Sequence, residues 1–580
     1  MKRLPYGISD FRKIITEDFY FVDKSEIIPD LENIANFIFL LRPRRFGKSI
    51  FSNMLAEYYD INNKECFNEL FGDLYIGQYP TKEASRYMVL KFDFSTVKMG
   101  MDELEKNFDK QCRYAIEKYL IKYSCYYTEQ EKSKILGYDL VSIMMQGLTD
   151  VAHSKGIPVY LFIDEYDNFS NTILSIHGKE KFKAITHGTG FYRDFFQVCK
   201  PSFDRIYLTG VSPITYDDLT SGFNIGTNIS LDRDFHKIIG FTEEEVRAMI
   251  EYYRAEGCIK RPTNAIIEEM KPWYDNYCFS KRCYGKESPM YNSNMVLFYM
   301  SNILLCDQAP DEMLDRNVAT DFPKLRMLLD VEDPADRQRR IDIIRQLANT
   351  NETTGNIVIS FPAEELKKAD NFVSLLFYYG LLTFAGEDRY GRTILRVPNN
   401  TMRQMYLNYL LNIAEDEGFR INDERIALDD SIVRMAIDGE WKDAVLLLGE
   451  LYSKYSSIRN SIDREADVQG FLRALLCINQ YYAVRPEVEL NKGFCDLLLS
   501  PNGRVDNRAK FSYLIELKYA KADASDEQIA KMEADAKAQL LQYTGDRQIA
   551  SVLYGTELKG LYFVFRAHEL VRYGEEEVKL

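Results

Sequence analysis

Histidine is scarce in this 580-residue chain. The five His are scattered and form no HExxH or similar cluster, so no zinc-peptidase helix is present. The ten Cys lie far apart with no CxxC pair. The tightest spacing, Cys278 to Cys283, suits neither a zinc site nor a disulfide scaffold. A reducing cytoplasm is therefore expected. The 31 Gly and 17 Pro are spread thinly, which excludes collagen-like and low-complexity classes. Basic residues are outnumbered, 73 against 88 acidic, giving a net charge of −15. A general polyanion coat is excluded, since that needs a surplus of Lys and Arg; a local basic site is not. The longest nearly apolar stretch, Ser374–Gly386, falls short of the ~20 residues of a membrane span. The opening MKRLPYGISDF has no apolar signal core. What remains is ordinary globular composition, 46% hydrophobic and 28% charged. At ~100–200 residues per domain, the length predicts about three or four domains.

The first third alternates apolar strand-like runs (Phe37–Leu41, Tyr87–Phe94, Val159–Ile163, Arg205–Gly210) with helical patterns such as Lys48–Tyr59 and Glu103–Tyr119. That alternation predicts a mainly parallel sheet covered by helices. From about Glu243 to Ser461 the periodicity is mostly helical, interrupted by a hairpin pattern. Leu381–Phe384, the turn GEDRYGR and Thr393–Val397 follow the helix ending in SLLFYYG, which suits a small winged-helix-like module. The last stretch mixes strand runs (Val484–Glu489, Phe494–Leu499, Tyr513–Lys518, Ile549–Tyr554, Gly560–Phe565) with helices over Glu465–Asn479 and Asp526–Tyr543. It reads as an α/β domain with an antiparallel start. The expected divisions are 1–242, 243–460 and 461–580.

Residues Phe37–Ile50 read FIFLLRPRRFGKSI: a strand runs into a loop, and a helix begins at Gly47-Lys48-Ser49. This is the context of a phosphate loop. Backbone N–H groups at a helix start bind phosphate oxygens. Gly47 allows close approach, Lys48 would reach the β- and γ-phosphates, and Ser49 would ligate Mg²⁺. The general GxxxxGK[ST] pattern is broken at its first position, where Arg42 stands. Arg44 and Arg45 flank the loop, to contact phosphate or to face solvent. A second apolar strand, VYLFIDEYD, ends in carboxylates. Asp164 would hold the Mg²⁺ shell, and Glu165 would orient or deprotonate a water. After RIYLTGVSPIT, either Thr209 or Ser212 is placed to sense a γ-phosphate or simply to form a turn.

RPRRFGKS, with FYFVDKSEII upstream and VYLFIDEYDNF and WYDNYCFS downstream, resembles the bacterial AAA-ATPase-like family. The likeness covers roughly Leu4 to Ile303 and resumes at Ser374–Asn400. In that family RPRRFGKS itself stands as the phosphate loop. The resemblance implies an ATP site with Mg²⁺ in which Arg44, Arg45, Phe46, Gly47, Lys48, Ser49, Asp164 and Thr209 take part. It raises the expectation of a homo-oligomer. Asp23 and Lys24 fall in the family's VDK[TS] segment; helix capping is the plain reading of Asp23.

Near the end, GFCDLLLS is followed about twenty residues later by YLIELKYA. Glu516 and Lys518 are one residue apart on a strand and so share a face. With Asp496 they offer hard oxygen ligands for Mg²⁺ and a cation for phosphate charge. Glu465 opens an upstream helix, and Gln539 and Tyr543 lie four apart on a downstream one. Together they resemble the PD-(D/E)XK nuclease superfamily, with Gln539 and Tyr543 as its QxxxY pair. That resemblance implies Glu465, Asp496 and Glu516 as metal ligands, Asp496, Glu516 and Lys518 as catalytic residues, and nucleic acid, chiefly DNA, as substrate. Phe494 and Cys495 depart from the GRxD pattern of the group. A nucleotide-switched binding protein with an inactive nuclease fold is the alternative.

Overall fold

The computed structural model describes residues 1–97, 104–186, 190–214, 226–310, 313–315, 334–362, 365, 368–406, 409, 421–456, 465–476, 481–490, 493–501, 508–545, 549, 553 and 555–578. The chain forms two compact units, one of residues 1–340 with 352–402, the other of residues 341–351 with 403–580.

The first unit is built on β1 (Phe37–Leu41), β2 (Met88–Asp93), β3 (Val159–Asp164), β4 (Arg205–Gly210) and the two-residue β5 (Thr227–Asn228). All pair in parallel, in the order β2-β3-β4-β1-β5. Central parallel strands are buried on both faces, so they read as unbroken apolar runs; all five residues of β1 are buried. β2 sits at the sheet edge and shows it, with Lys91 and Asp93 exposed. Aromatic packing fixes the helices on this sheet. Phe108 meets Phe94, Phe169, Phe191, Tyr192 and Phe195 at ring-centroid distances of 5.1–5.5 Å.

The helices Glu243–Ala255, Thr263–Tyr274 and Ser293–Cys306 share a core of Val246, Ile250, Ile266, Met270, Val296 and Met300. The first begins with a capping box, in which Thr242 and Glu245 satisfy each other's backbone N–H groups. The expected hairpin is present as β7 (Thr383–Glu387) and β8 (Thr393–Arg396), after the helix Ala369–Tyr378. A short β6 (Glu352–Thr354) adds a third antiparallel strand. The turn before β7 touches the phosphate loop: Gly380, at φ +79°, is so close that a Cβ there would lie 2.8 Å from Pro43 Cβ.

The second unit carries β9 (Tyr482–Leu490), β10 (Gly493–Pro501), β11 (Phe511–Ala520), β12 (Glu557–Arg566) and β13 (Glu569–Glu576), ordered β13-β12-β11-β10-β9. Every pairing is antiparallel except β11 with β12. The helices Ile421–Asp438, Lys442–Ser456 and Glu465–Leu476 share a core with Tyr513, Ile515 and Leu517 of β11. The helix Asp526–Gln542 packs with Leu514 and Ala520, on the opposite face. The two helices from 421 to 456, grouped by periodicity with the middle of the chain, thus contribute core to this unit. Trp441 Nε1 donates to Glu575 Oε2 at 2.6 Å, and Tyr513 Oη to the Met435 carbonyl at 2.7 Å. The strand expected over 549–554 falls largely outside the described residues. Among the described residues, no helix is long and apolar enough to cross a membrane.

Candidate functional site

In the first unit the site grows from the end of β1. The chain leaves the sheet at Leu41, and the helix Lys48–Tyr59 starts directly after Gly47. Two left-handed residues make the loop, Arg45 at φ 68° and Gly47 at φ 98°. Gly47 bears that conformation without strain; Arg45 does not. The buried Lys48 ammonium donates to the carbonyls of Arg42 and Pro43, both at 3.0 Å. Burial lowers its pKa, against the opposing charges of Glu165, Asp164 and Asp167.

β4 lies between β1 and β3, so the acids of β3 face the loop across the end of β4. The buried Thr209 hydroxyl donates to Asp164 Oδ1. Glu165 is itself left-handed, at φ 52°, and its Oε2 lies 3.4 Å from Arg44 Nη2. Ser212 points elsewhere: its backbone N–H donates to Asp167 Oδ2 at 2.6 Å, and its hydroxyl accepts from Ile214 N at 3.2 Å. Asp167 also accepts from Val211 N at 3.1 Å. Burial and the neighbouring Glu165 push its carboxyl up to about 6. A cavity of about 320 Å³ opens onto Arg45, Phe46, Gly47, Lys48, Ser49 and Glu165.

Arg42 is turned into the protein. Its guanidinium donates to the carbonyls of Ser230 and Phe235, the latter at 3.1 Å, and stacks 4.3 Å over Phe279. Phe46 is buried against Tyr277 and Phe279, at centroid distances of 4.8 and 5.2 Å. Arg42 and Phe46, the two ends of RPRRF, therefore fasten the loop to residues 230–280. Asp23 stands at the N-cap of neither neighbouring helix, but its two oxygens accept from the first N–H of each, Ser25 N at 2.8 Å and Tyr75 N at 2.7 Å.

In the second unit β10 and β11 pair with Leu497 opposite Ile515. Continued by one residue, that register sets Asp496 opposite Glu516. Asp496 Oδ2 accepts from Leu517 N at 2.7 Å, and its carbonyl accepts from Gln469 Nε2 at 2.7 Å. Glu516 is 1% exposed. Its Oε1 accepts from Tyr543 Oη at 3.0 Å, and Lys518 Nζ stands 3.7 Å from Oε2. Burial, then the charge of Asp496, holds the Glu516 carboxyl well above the usual carboxylate range. Gln539, one turn before Tyr543, has a buried Oε1 without a hydrogen-bond partner. Cys495 is a core residue, its thiol pushed up by burial. Glu465 opens its helix as expected, but its side chain and that of Phe494 lie outside the described residues. Among the described residues no group of three His, Cys, Asp or Glu gathers as a metal cage. Mg²⁺ needs no such cage, since it is held by one or two carboxylates and keeps its waters. Two adjoining carboxylates, one disfavoured in its charged form by the other, are a donor set that a divalent cation fits.

Residues 5–220 match the family described as predicted AAA-ATPase, and residues 463–575 match the PD-(D/E)XK nuclease superfamily. The chain carries an AAA-ATPase-like domain and a PD-(D/E)XK nuclease superfamily domain. A curated relative, an uncharacterized protein in the vnfD 5′ region of Azotobacter chroococcum mcd 1, is 29% identical over 282 residues. That match takes in 48% of either protein, so the chain spans about half the length of the relative. Among solved structures, the Aeropyrum pernix ORC2 protein in its ADPNP–ADP complexes is 11% identical. It has a TM-score of 0.33, with 70% of this chain and 98% of that one covered. Cdc6p from Pyrobaculum aerophilum is also 11% identical, at a TM-score of 0.24, with 72% and 96% covered.

The sequence pointed to the main partners in both domains but assigned no role to three residues beside them. Asp167 lay inside the VYLFIDEYD segment and was a signal without an assigned role. The Lys24 side chain lines the AAA-ATPase-like domain's cavity. Gln469 of the nuclease domain, four residues after Glu465 on the same helix, carried no signal beyond that spacing.

Proposed function

We propose that the AAA-ATPase-like domain binds ATP with Mg²⁺ and hydrolyses it, and that the C-terminal domain is a Mg²⁺-dependent nuclease acting on DNA. The observation that carries the first part is the Lys48 ammonium. It is buried and held by carbonyls of its own loop, and it lines a cavity together with the helix start at Gly47 and Ser49. Those two bonds are ones a phosphate oxygen can replace at little cost. The phosphates would lie on the N–H groups of Gly47, Lys48 and Ser49, and the base in the apolar remainder of the cavity. Ser49 and Asp164 would hold Mg²⁺, which neutralises charge on the bound phosphates when present. Glu165 orients the attacking water, and its pairing with Arg44 fixes it near the loop. Thr209 acts through Asp164, and Arg45 supplies positive charge at the cavity rim.

In the nuclease domain Asp496 and Glu516, with Glu465, would hold the divalent cation, which supplies a Lewis acid to the scissile phosphate when bound. Lys518 places positive charge beside that site. Tyr543 keeps Glu516 in position, and Gln539 has a free acceptor nearby on the same helix. ATP turnover would gate the nuclease.

The deciding experiment is cleavage of single- and double-stranded DNA with Mg²⁺ or Mn²⁺, with and without ATP, beside Glu516→Ala and Lys48→Ala. Cutting lost in Glu516→Ala supports the nuclease, and ATP dependence lost in Lys48→Ala supports the coupling. Nucleotide binding without any cutting would favour a nucleotide-switched binding protein. The Phe494 and Cys495 found where GRxD is usual point the same way.

A further inference from the structure

The cavity that the phosphate loop lines also takes in residues from before β1. Lys24 lines it, with a side chain only 12% exposed. Its Nζ stands 2.6 and 2.7 Å from the two oxygens of Glu245. Glu245 is itself fixed, because its Oε2 accepts from Thr242 N at 2.8 Å to close the capping box. The ammonium is therefore held in one place before any ligand arrives. An ammonium has three N–H donors and no acceptor. The Glu245 oxygens account for two, and among the described residues no protein atom takes the third. The same cavity is walled by Phe21, Val22, Ile238, Phe241 and Met249.

This combination selects a chemistry. A lone lysine would draw a phosphate to the wrong end of the cavity. Paired with Glu245 it carries no net charge, so it offers a hydrogen bond without competing with Lys48 for the anion. Apolar walls suit the faces of a planar heterocycle, and a single directed donor suits an acceptor on its edge. Adenine presents three acceptor-only ring nitrogens, N1, N3 and N7.

We propose that Lys24, held by Glu245, reads the base of the bound nucleotide by donating a hydrogen bond to one adenine ring nitrogen. This rests on the ATP reading above. The Lys24–Glu245 pair then links base recognition to the helix Glu243–Ala255, whose first turn Glu245 caps.

The test is calorimetric binding of ATP, 1-deaza-ATP, 3-deaza-ATP and 7-deaza-ATP to the full chain with Mg²⁺. Wild type is expected to bind one of the three analogues about tenfold more weakly than ATP. Lys24→Met is expected to bind ATP at that weaker level and to treat that analogue and ATP alike. A purely structural ion pair would not make the loss depend on one ring atom. Lys24→Met leaves Glu245 without its cation, so Lys24→Met/Glu245→Met is measured alongside to separate misfolding from lost contact. Equal binding of all four nucleotides by wild type, or a deaza preference that survives in both variants, overturns the assignment while leaving ATP binding intact. Failure of wild type to bind ATP at all would overturn the ATP reading, and this one with it.

Discussion

The hydroxyl of Thr209 donates to the Asp164 carboxylate, so β4 supplies the group that orients the acid at the end of β3. A hydrogen bond to a charged group is worth about 1.5–3 kcal/mol. Thr209→Val keeps the shape and loses the donor. It should lower the ATP hydrolysis rate roughly 10–100-fold, the same energy expressed as a rate. Nucleotide affinity should change little. Steady-state kinetics separate the two, and an unchanged kcat would remove Thr209 from the site.

Gly210, the next residue, has no room for a side chain. A Cβ there would lie 2.5 Å from Asp167 Oδ1 and 2.5 Å from the Tyr166 ring. Neither neighbour gives way easily, since Asp167 is held by Val211 N and Ser212 N, and Tyr166 Oη by the Ser212 carbonyl at 3.1 Å. Gly210→Ala should therefore push the end of β4 away from β3. Overpacking of this kind costs about 1–3 kcal/mol. ATP hydrolysis should fall by more than in Thr209→Val, with a lower melting temperature. Calorimetry and an ATPase assay on the purified variant check both.

Much of this was readable before the fold was known, for definite reasons. β1, β3 and β4 are central parallel strands, whose double burial writes them as unbroken apolar runs. Glu516 and Lys518 share a face because a strand alternates every residue. Other features leave no local trace. β5 is two residues long, below any usable period. The helices from 421 to 456 show that they bury a face, but periodicity does not say against which sheet. Arg42 stands where a glycine is general, yet its direction is set by the carbonyls of Ser230 and Phe235, some 190 residues away.

Tyr543 and Glu516 offer a test of the nuclease domain that does not delete a ligand. The 3.0 Å bond from Tyr543 Oη favours the charged form of a carboxyl whose pKa burial and Asp496 raise. Tyr543→Phe removes that help, so the Glu516 pKa should rise further. The proposed metal-dependent cleavage would require the ionised carboxylate, so its pH profile should shift to higher pH in the variant. Leaving a buried acceptor unpaired also costs about 1–3 kcal/mol of stability. A pH profile that coincides with wild type would show that Tyr543 does not act through Glu516.

Asp275 gives a pH dependence away from either site. Its carboxyl is 1% exposed, neither oxygen has a well-aligned hydrogen-bond partner among the described residues, and burial pushes its pKa up to about 6, against the backbone N–H of Asn276. The unfolded chain releases this proton near pH 4, so between about 4 and 6 the folded state binds more protons than the unfolded one. Stability should therefore fall as pH rises through that window, and stay lower above it by about 3 kcal/mol at most. Asp275→Asn removes the charge at nearly constant volume. It should melt higher than wild type at pH 7–8, with the gap closing below pH 5. Melting temperatures of both proteins from pH 4.5 to 8 check this. A gap that does not vary with pH would mean that Asp275 is not ionised within a buried site.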